Sequence, residues 1–267
     1  MESAEKYPKL QRQPLTLVLA EFRFVPARRS IESLYHLKQA MEAAFGSVQE
    51  FITRAVETLP DGQQRETAGW GFLSRDDARG GVLLVEPARV IYLTTQYPRF
   101  PDFSARCAEA ITLVEDTLAP EQLFRVGLRY NDVVIPGRDE ELADYLVPGL
   151  LPAATLADDQ VQCTGHRVES RLDTEAGGLM VRAHVGLNGL AVMPDINEVF
   201  RPELAVDVPV DRMTAVLDFD HFWAVAPEAG EAFNGDNALD RLKTLHEPAR
   251  EAFWRVTTDY ARERKWS

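Results

Sequence analysis

The chain has 267 residues, 45% of them hydrophobic and 27% charged, with a formal net charge of −13 at neutral pH. That length supports one large domain or two small ones around a true core, and the composition is that of an ordinary soluble protein. The acidity argues against non-specific nucleic-acid binding, because a negative field repels phosphate backbones.

Residues 1–14 are polar and are expected to be a loosely held tail without the apolar centre of a signal peptide. The run 15–26 is apolar and β-rich, and Pro26 closes it as a strand. Ser30 offers an N-cap to a helix over 31–45, in which Ile31, Leu34, Leu37, Met41 and Phe45 recur at helical spacing before Gly46. Strands follow over 48–59, 65–75, 81–87 and 89–97, separated by turn residues, and then a helix over 102–120. The order then starts again: a strand over 121–136, a short helix over 139–147, strands over 160–173, 179–187, 190–195 and 212–225, and a helix over 237–265 that Pro248 kinks or restarts.

The two openings match in kind, apolar strand end, proline, arginine and acidic helix start, at 22–34 and 132–146. The predicted fold is therefore α+β: tandem duplicated β-α-β4-α units over 15–120 and 121–267, with antiparallel sheets under helices on one face. This order is TATA-binding-protein-like or helix-grip-like, an analogy of fold and not of function.

Period-two alternation assigns the faces. Over 160–187 it pairs Leu172 with Leu179, Ser170 with Val181, Val168 with Ala183 and His166 with Val185. Glu169 then faces Arg182, and Arg167 faces His184, which puts His166 and His184 on opposite faces and argues against a shared metal. In 15–25, Glu21 and Arg23 lie opposite the Val18, Ala20, Phe22 and Phe24 stripe. In 123–135, Arg125, Arg129 and Asn131 lie opposite Phe124, Val126, Leu128 and Tyr130. In 213–225, Asp218 and Asp220 lie opposite Leu217, Phe219, His221 and Trp223. If the first strands of the two units meet, Glu21 and Arg23 approach Arg129 and Asn131 at the sheet centre. Asp132 falls on the apolar side, which suggests a bulge or a strand end.

The chemistry such a set could carry is limited. Asp218 and Asp220 with Glu21 could hold Mg²⁺ for hydrolysis, and salt bridges to Arg129 or Arg125 are the structural alternative. Sequence signatures of zinc hydrolases, serine hydrolases, dinucleotide folds and phosphate loops are missing. Cys107 has core spacing with Ile111 and Val114. Cys163 is solitary, and two lone cysteines suit a reducing compartment. No run approaches the ~18 apolar residues of a membrane span, so a cytoplasmic protein off the membrane is expected. His36 and His246 sit on helices and are expected to be surface or capping groups. The C-terminal helix is amphipathic through Leu239, Leu242, Leu245, Phe253 and Val256, and it packs on its own sheet or on a partner. Trp266 fits either.

Dispersed segments through the whole chain, "PLTLVLAEFRF", "GWGFLSRD", "IYLTTQYPRFPDF", "RVGLRYNDVVIP", "VLDFDHFW" and "LKTLHEPAREAFWRVTT", resemble the sporadically distributed bacterial protein family of unknown function. The most specific pieces are the Arg129-Tyr130-Asn131 step and the Asp218-x-Asp220 step, with Glu21 as the acid of the first strand. The resemblance implies no enzymatic activity. Its patchy distribution implies an accessory role, in phage defence or in a toxin–antitoxin-like partnership.

Three readings compete. The first is a non-enzymatic module that needs no cofactor and binds a protein partner or a second copy as a homodimer. The second is a metal-dependent hydrolase or nuclease using Asp218, Asp220 and Glu21. The third is an anion or nucleotide sensor in which Arg125, Arg129 and Tyr130 hold the ligand between helices and sheet.

Overall fold

The computed structural model describes residues 7–25, 30–58, 64–76, 79–153, 161, 163–187 and 189–267, with backbone alone at 54–58 and 64–67. The elements run β1 (Leu15–Val25), α1 (Ile31–Phe45), β2 (Ser47–Thr58), β3 (Gln64–Asp76), β4 (Gly81–Glu86), β5 (Arg89–Thr94) and α2 (Phe100–Leu118). The second half gives β6 (Gln122–Val134), α3 (Leu142–Tyr145), β7 (Gly165–Thr174), β8 (Gly177–Gly186), α4 (Pro194–Phe200), β9 (Thr214–Ala224), β10 (Glu231–Ala232) and α5 (Gly235–Val256).

Among the described residues ten strands form a single antiparallel sheet, in the order β2-β3-β4-β5-β1-β6-β9-β8-β7, with β10 on the end of β6. The opening strands meet at its centre, where Glu21 stands opposite Gly127 and Arg23 opposite Arg125. The register shifts between Leu15 and Leu17, which face Asp132 and Asn131. The β7–β8 hairpin pairs Leu172 with Leu179, Glu169 with Arg182 and Arg167 with His184, the register that alternation predicts. Gly177 (φ 144) turns that hairpin against the backbone of β9, and a Cβ there would meet the Phe222 carbonyl oxygen.

Helices α1, α2 and α5 cover one face. Each presents a narrow apolar stripe: Leu37, Met41 and Phe45 from α1; Phe103, Cys107, Ile111 and Val114 from α2; Leu242, Leu245 and Ala249 from α5. These close over Val18, Ala20, Phe22, Phe24, Leu128 and Phe219 of the sheet. Ser30 caps α1 by accepting from the Ser33 amide at 3.1 Å. Pro248 lies inside α5 without ending it. The carbonyl of Leu245, just before it, takes a hydrogen bond from His221 Nδ1 at 2.7 Å. A carbonyl can only accept, so Nδ1 carries the proton, and Nε2 lies 2.8 Å from Thr174 Oγ1, whose hydroxyl is shared with the Gly177 carbonyl.

The opposite face has its own smaller core, in which Leu17, Leu19, Ile91, Leu93 and Val216 are covered by Met193, Ile196 and Phe200 of α4 and the chain around it. Helices on one face only is thus corrected to helices on both. The strand predicted over 190–195 is likewise absent, and the chain there runs into α4. Its would-be neighbours are already taken, because β9 lies between β6 and β8. Asn131 instead fixes the segment from outside the ladder: its Nδ2 donates to the Ala191 carbonyl and its Oδ1 accepts from the Met193 amide, at 3.1 and 3.0 Å.

The predicted loose tail is docked over residues 7–14. Leu10 is buried, Tyr7 stacks on Trp254 with ring centroids 4.7 Å apart, and the Arg12 amide donates to the Trp266 carbonyl at 2.9 Å. Among the described residues no helix is long and apolar enough to cross a membrane.

Candidate functional site

The sheet separates the expected site residues into two groups. On the α4 face, Arg89, Arg23 and Arg125 stand side by side across β5, β1 and β6. Like charges so placed repel each other unless an anion lies between them. Glu21 supplies it, with Arg23 Nε at 3.0 Å, Arg125 Nε at 3.1 Å and Arg89 at 3.6 Å. The Arg125 guanidinium also lies over the Phe222 ring, 4.2 Å from its centroid.

Further along the same face, Asp218 has no exposed surface. Arg129 Nε meets one of its oxygens at 2.6 Å and Arg182 meets the other at 2.6 Å. Arg129 also grips Asp195, at the start of α4, through two nitrogens at 2.6 and 3.1 Å. Burial pushes the Asp195 carboxyl up, but the hydrogen bond and charge of Arg129 more than offset this and hold it below the usual range. Burial likewise works against the charge of Arg129, and its two carboxylates outweigh burial and keep it firmly cationic. Burial raises the Asp220 carboxyl, with Arg182 standing 3.8 Å away. These contacts dock α4 onto the sheet.

This geometry does not gather the three carboxylates proposed as a metal set. Glu21 lies opposite Gly127, which lies opposite Phe222, while Asp218 is four residues further along β9. At ~3.3 Å per residue and ~4.8 Å per strand, Glu21 and Asp218 are on the order of 15 Å apart. No group of three or more metal-ligating side chains occurs among the described residues. Millimolar Mg²⁺ or Mn²⁺ is therefore expected to leave the melting temperature unchanged in a thermal-shift assay, and a rise of several degrees would revive the metal reading. The anion set is also divided: Arg125 and Arg129 lie on the α4 face, while Tyr130 points to the helical face.

The helical face holds what the sequence reading missed. Between α5, the centre of the sheet, the docked segment 8–15 and the loop before α2 lies a cavity of ≈ 120 Å³. Tyr130, Asp132 and Phe219 form its floor, and Tyr97, Phe100, Phe253 and Trp254 contribute aromatic walls. His246 is neither a surface nor a capping group. Its ring stacks on Phe100 at 4.0 Å between centroids, and its Nδ1 is 2.7 Å from the Tyr130 hydroxyl. Burial raises the Tyr130 hydroxyl well above its ordinary range, so it stays neutral and available for hydrogen bonding. Lys9, Arg99 and Arg250 bring cationic side chains to the same cavity.

Asp132 is the unusual member. It is 4% exposed, and among the described residues its carboxyl has neither a hydrogen bond nor an ion pair. Its position on the floor explains why a carboxyl sits on the apolar side of β6. Burial first, and the charge of Asp218 second, push it up to about 8. The signal in the sequence was the parity of Asp132 with Leu128 and Tyr130. What it faces could not be read, because the cavity is assembled from five separate stretches of chain between Pro8 and Trp254.

No family model matches the chain, and no curated protein matches it either.

Proposed function

We propose that the protein is a non-enzymatic binding module, of the accessory kind the resemblance implies, and that it takes a small ligand between α5 and the sheet centre. One observation carries this reading: the cavity floor holds a buried carboxyl with no partner among the described residues. Buried polar groups are ordinarily satisfied, and one left open toward a cavity is a ligand contact in waiting. The engagement of Glu21, Asp218 and Asp220 by arginines supports a non-catalytic role for the other face. A thermal-shift screen of small metabolites tests the reading. A ligand is expected to raise the melting temperature of the native protein, and Ala249→Leu, which narrows the cavity from α5, is expected to abolish that rise. A shift that survives Ala249→Leu places the ligand elsewhere.

The same proposal includes the origin of the sheet. The antiparallel meeting of β1 and β6, with β5 beside β1 and β9 beside β6, supports two copies of one ancestral unit of the TATA-binding-protein-like or helix-grip-like kind, the first complete as β-α-β4-α and the second showing three long strands, β7, β8 and β9, after α3 among the described residues. In the second copy the chain between β8 and β9 makes α4 in place of a tight turn. Superposition of 15–118 on 122–256, with β1 laid on β6, is the test.

A further inference from the structure

We infer that the ligand of this cavity carries an ammonium group that pairs with Asp132, and an anionic group that faces the cationic side chains of the same cavity, as in a free α-amino acid. The inference rests on the cavity reading above and deepens it.

Three observations lead to it. First, Asp132 is a buried carboxyl on the cavity floor without a counter-ion among the described residues, and Asp218, behind it across the sheet, adds negative potential instead of relieving it. A ligand cation would satisfy both. Second, the surrounding surface is aromatic: Phe219 lies on the floor, and Phe253, Trp254 and Tyr97 form the walls. Ring faces attract an ammonium and repel a carboxylate, so an anion at that end would meet neither charge nor quadrupole in its favour. Third, the cavity has a second, opposite chemistry. Arg250 lies one helical turn beyond His246 on α5, and it is anchored by donating to the Tyr7 carbonyl at 2.6 Å. Lys9 and Arg99 join it in the lining. A simple amine would be repelled by these cations, whereas a zwitterion is attracted at both ends.

The charge cluster around Glu21 carries no comparable signal, because there the carboxylate is matched by Arg23, Arg89 and Arg125. A second cavity of ≈ 180 Å³, beside Arg75 and Arg201, has Asp76 as one of its carboxyls, and Arg106 stands 3.5 Å from it.

Pairing with an ammonium requires the ionised carboxylate, so binding and proton release are linked. The groups that face Asp132 across the cavity are Tyr130 on β6, His246 and Arg250 on α5, Tyr97 and Arg99 in the loop before α2, and Lys9 in the docked segment. Protonation of Asp132 opposes the pairing, so affinity rises with pH up to about 8, the point to which Asp132 is pushed.

The test is calorimetric titration of the whole chain with three matched probe sets: free α-amino acids, the corresponding n-alkylamines and the corresponding carboxylic acids. The expected result is binding by at least one amino acid, weaker binding by its amine and none by its acid. Affinity should climb up to about tenfold per unit between pH 6 and 7.5, and buffers of different ionisation enthalpy should report the release of close to one proton. Asp132→Asn should cost roughly 10- to 100-fold in affinity. Asp132→Glu, which keeps the charge, should retain part of it and so guards against a purely structural effect. Binding by the carboxylic acids alone, or affinity unchanged in Asp132→Asn, overturns the ammonium assignment and leaves the cavity reading standing. Silence from all three sets at millimolar concentration overturns both.

Discussion

Asp132→Asn should melt at a higher temperature than the native protein, and the gap should widen as the pH rises from 4 to 9. A buried carboxyl with no partner is tolerated only while it holds its proton. Its pKa is raised in the folded state, so its contribution to stability is fully present below the unfolded value near 3.8 and is lost as pH rises through the folded value of about 8. The difference is about 4 units, which at 1.36 kcal/mol each sets an upper limit near 6 kcal/mol. Water in the cavity screens the charge, and about 2–3 kcal/mol is the expected gain at pH 8–9, or roughly 5–10 °C in melting temperature for a domain of this size. At pH 4 the two proteins should melt together, since asparagine and a protonated carboxyl differ little in charge. Thermal unfolding of both proteins at four pH values is sufficient. Parallel curves would mean that Asp132 is ionised and paired after all. A residue that costs stability at working pH is one whose value must lie in what it binds.

Arg129→Met should have the opposite effect, a loss of about 3–5 kcal/mol, or on the order of 10 °C in melting temperature. Arg129 is shared by Asp218, which has no exposed surface, and Asp195 on α4. Its removal leaves Asp218 with Arg182 as its one remaining guanidinium partner and loosens α4 from the sheet. The double variant Arg129→Met with Asp218→Asn should recover part of that loss, because most of the penalty comes from a buried charge left half-paired and not from the missing bond. Ligand binding in the cavity, on the other side of the sheet, should persist in any fraction that remains folded. If the single variant unfolds no more readily than the native chain, the network is ornamental and α4 is held by Ile196 and Phe200 alone.

What could be read in the sequence was local or periodic. Alternation placed Glu21, Arg23, Arg125, Arg129, Asn131, Asp218 and Asp220 on one side of their strands, and the turn at 174–177 set the register of the β7–β8 hairpin. The strand assigned to 190–195 failed because an apolar run of that length carries no preference until its lateral partners are known, and Pro194 starts a helix just as readily. Asn131 was grouped with a charged network and is in fact the clamp that holds that run. His246 and Asp132 were named, one as a surface or capping group and the other as a bulge or strand-end residue, but were not joined. One sits on an amphipathic helix and the other on an apolar strand face, and no spacing rule joins positions brought together only when α5 lies across β6. Pro248 gave no warning either, since α5 continues through it.

The docking of Tyr7 and Arg12 against Trp254 and Trp266 makes residues 8–13 one wall of the cavity, so a substitution at Trp254 that frees Tyr7 is expected to loosen that wall without touching the sheet beneath it.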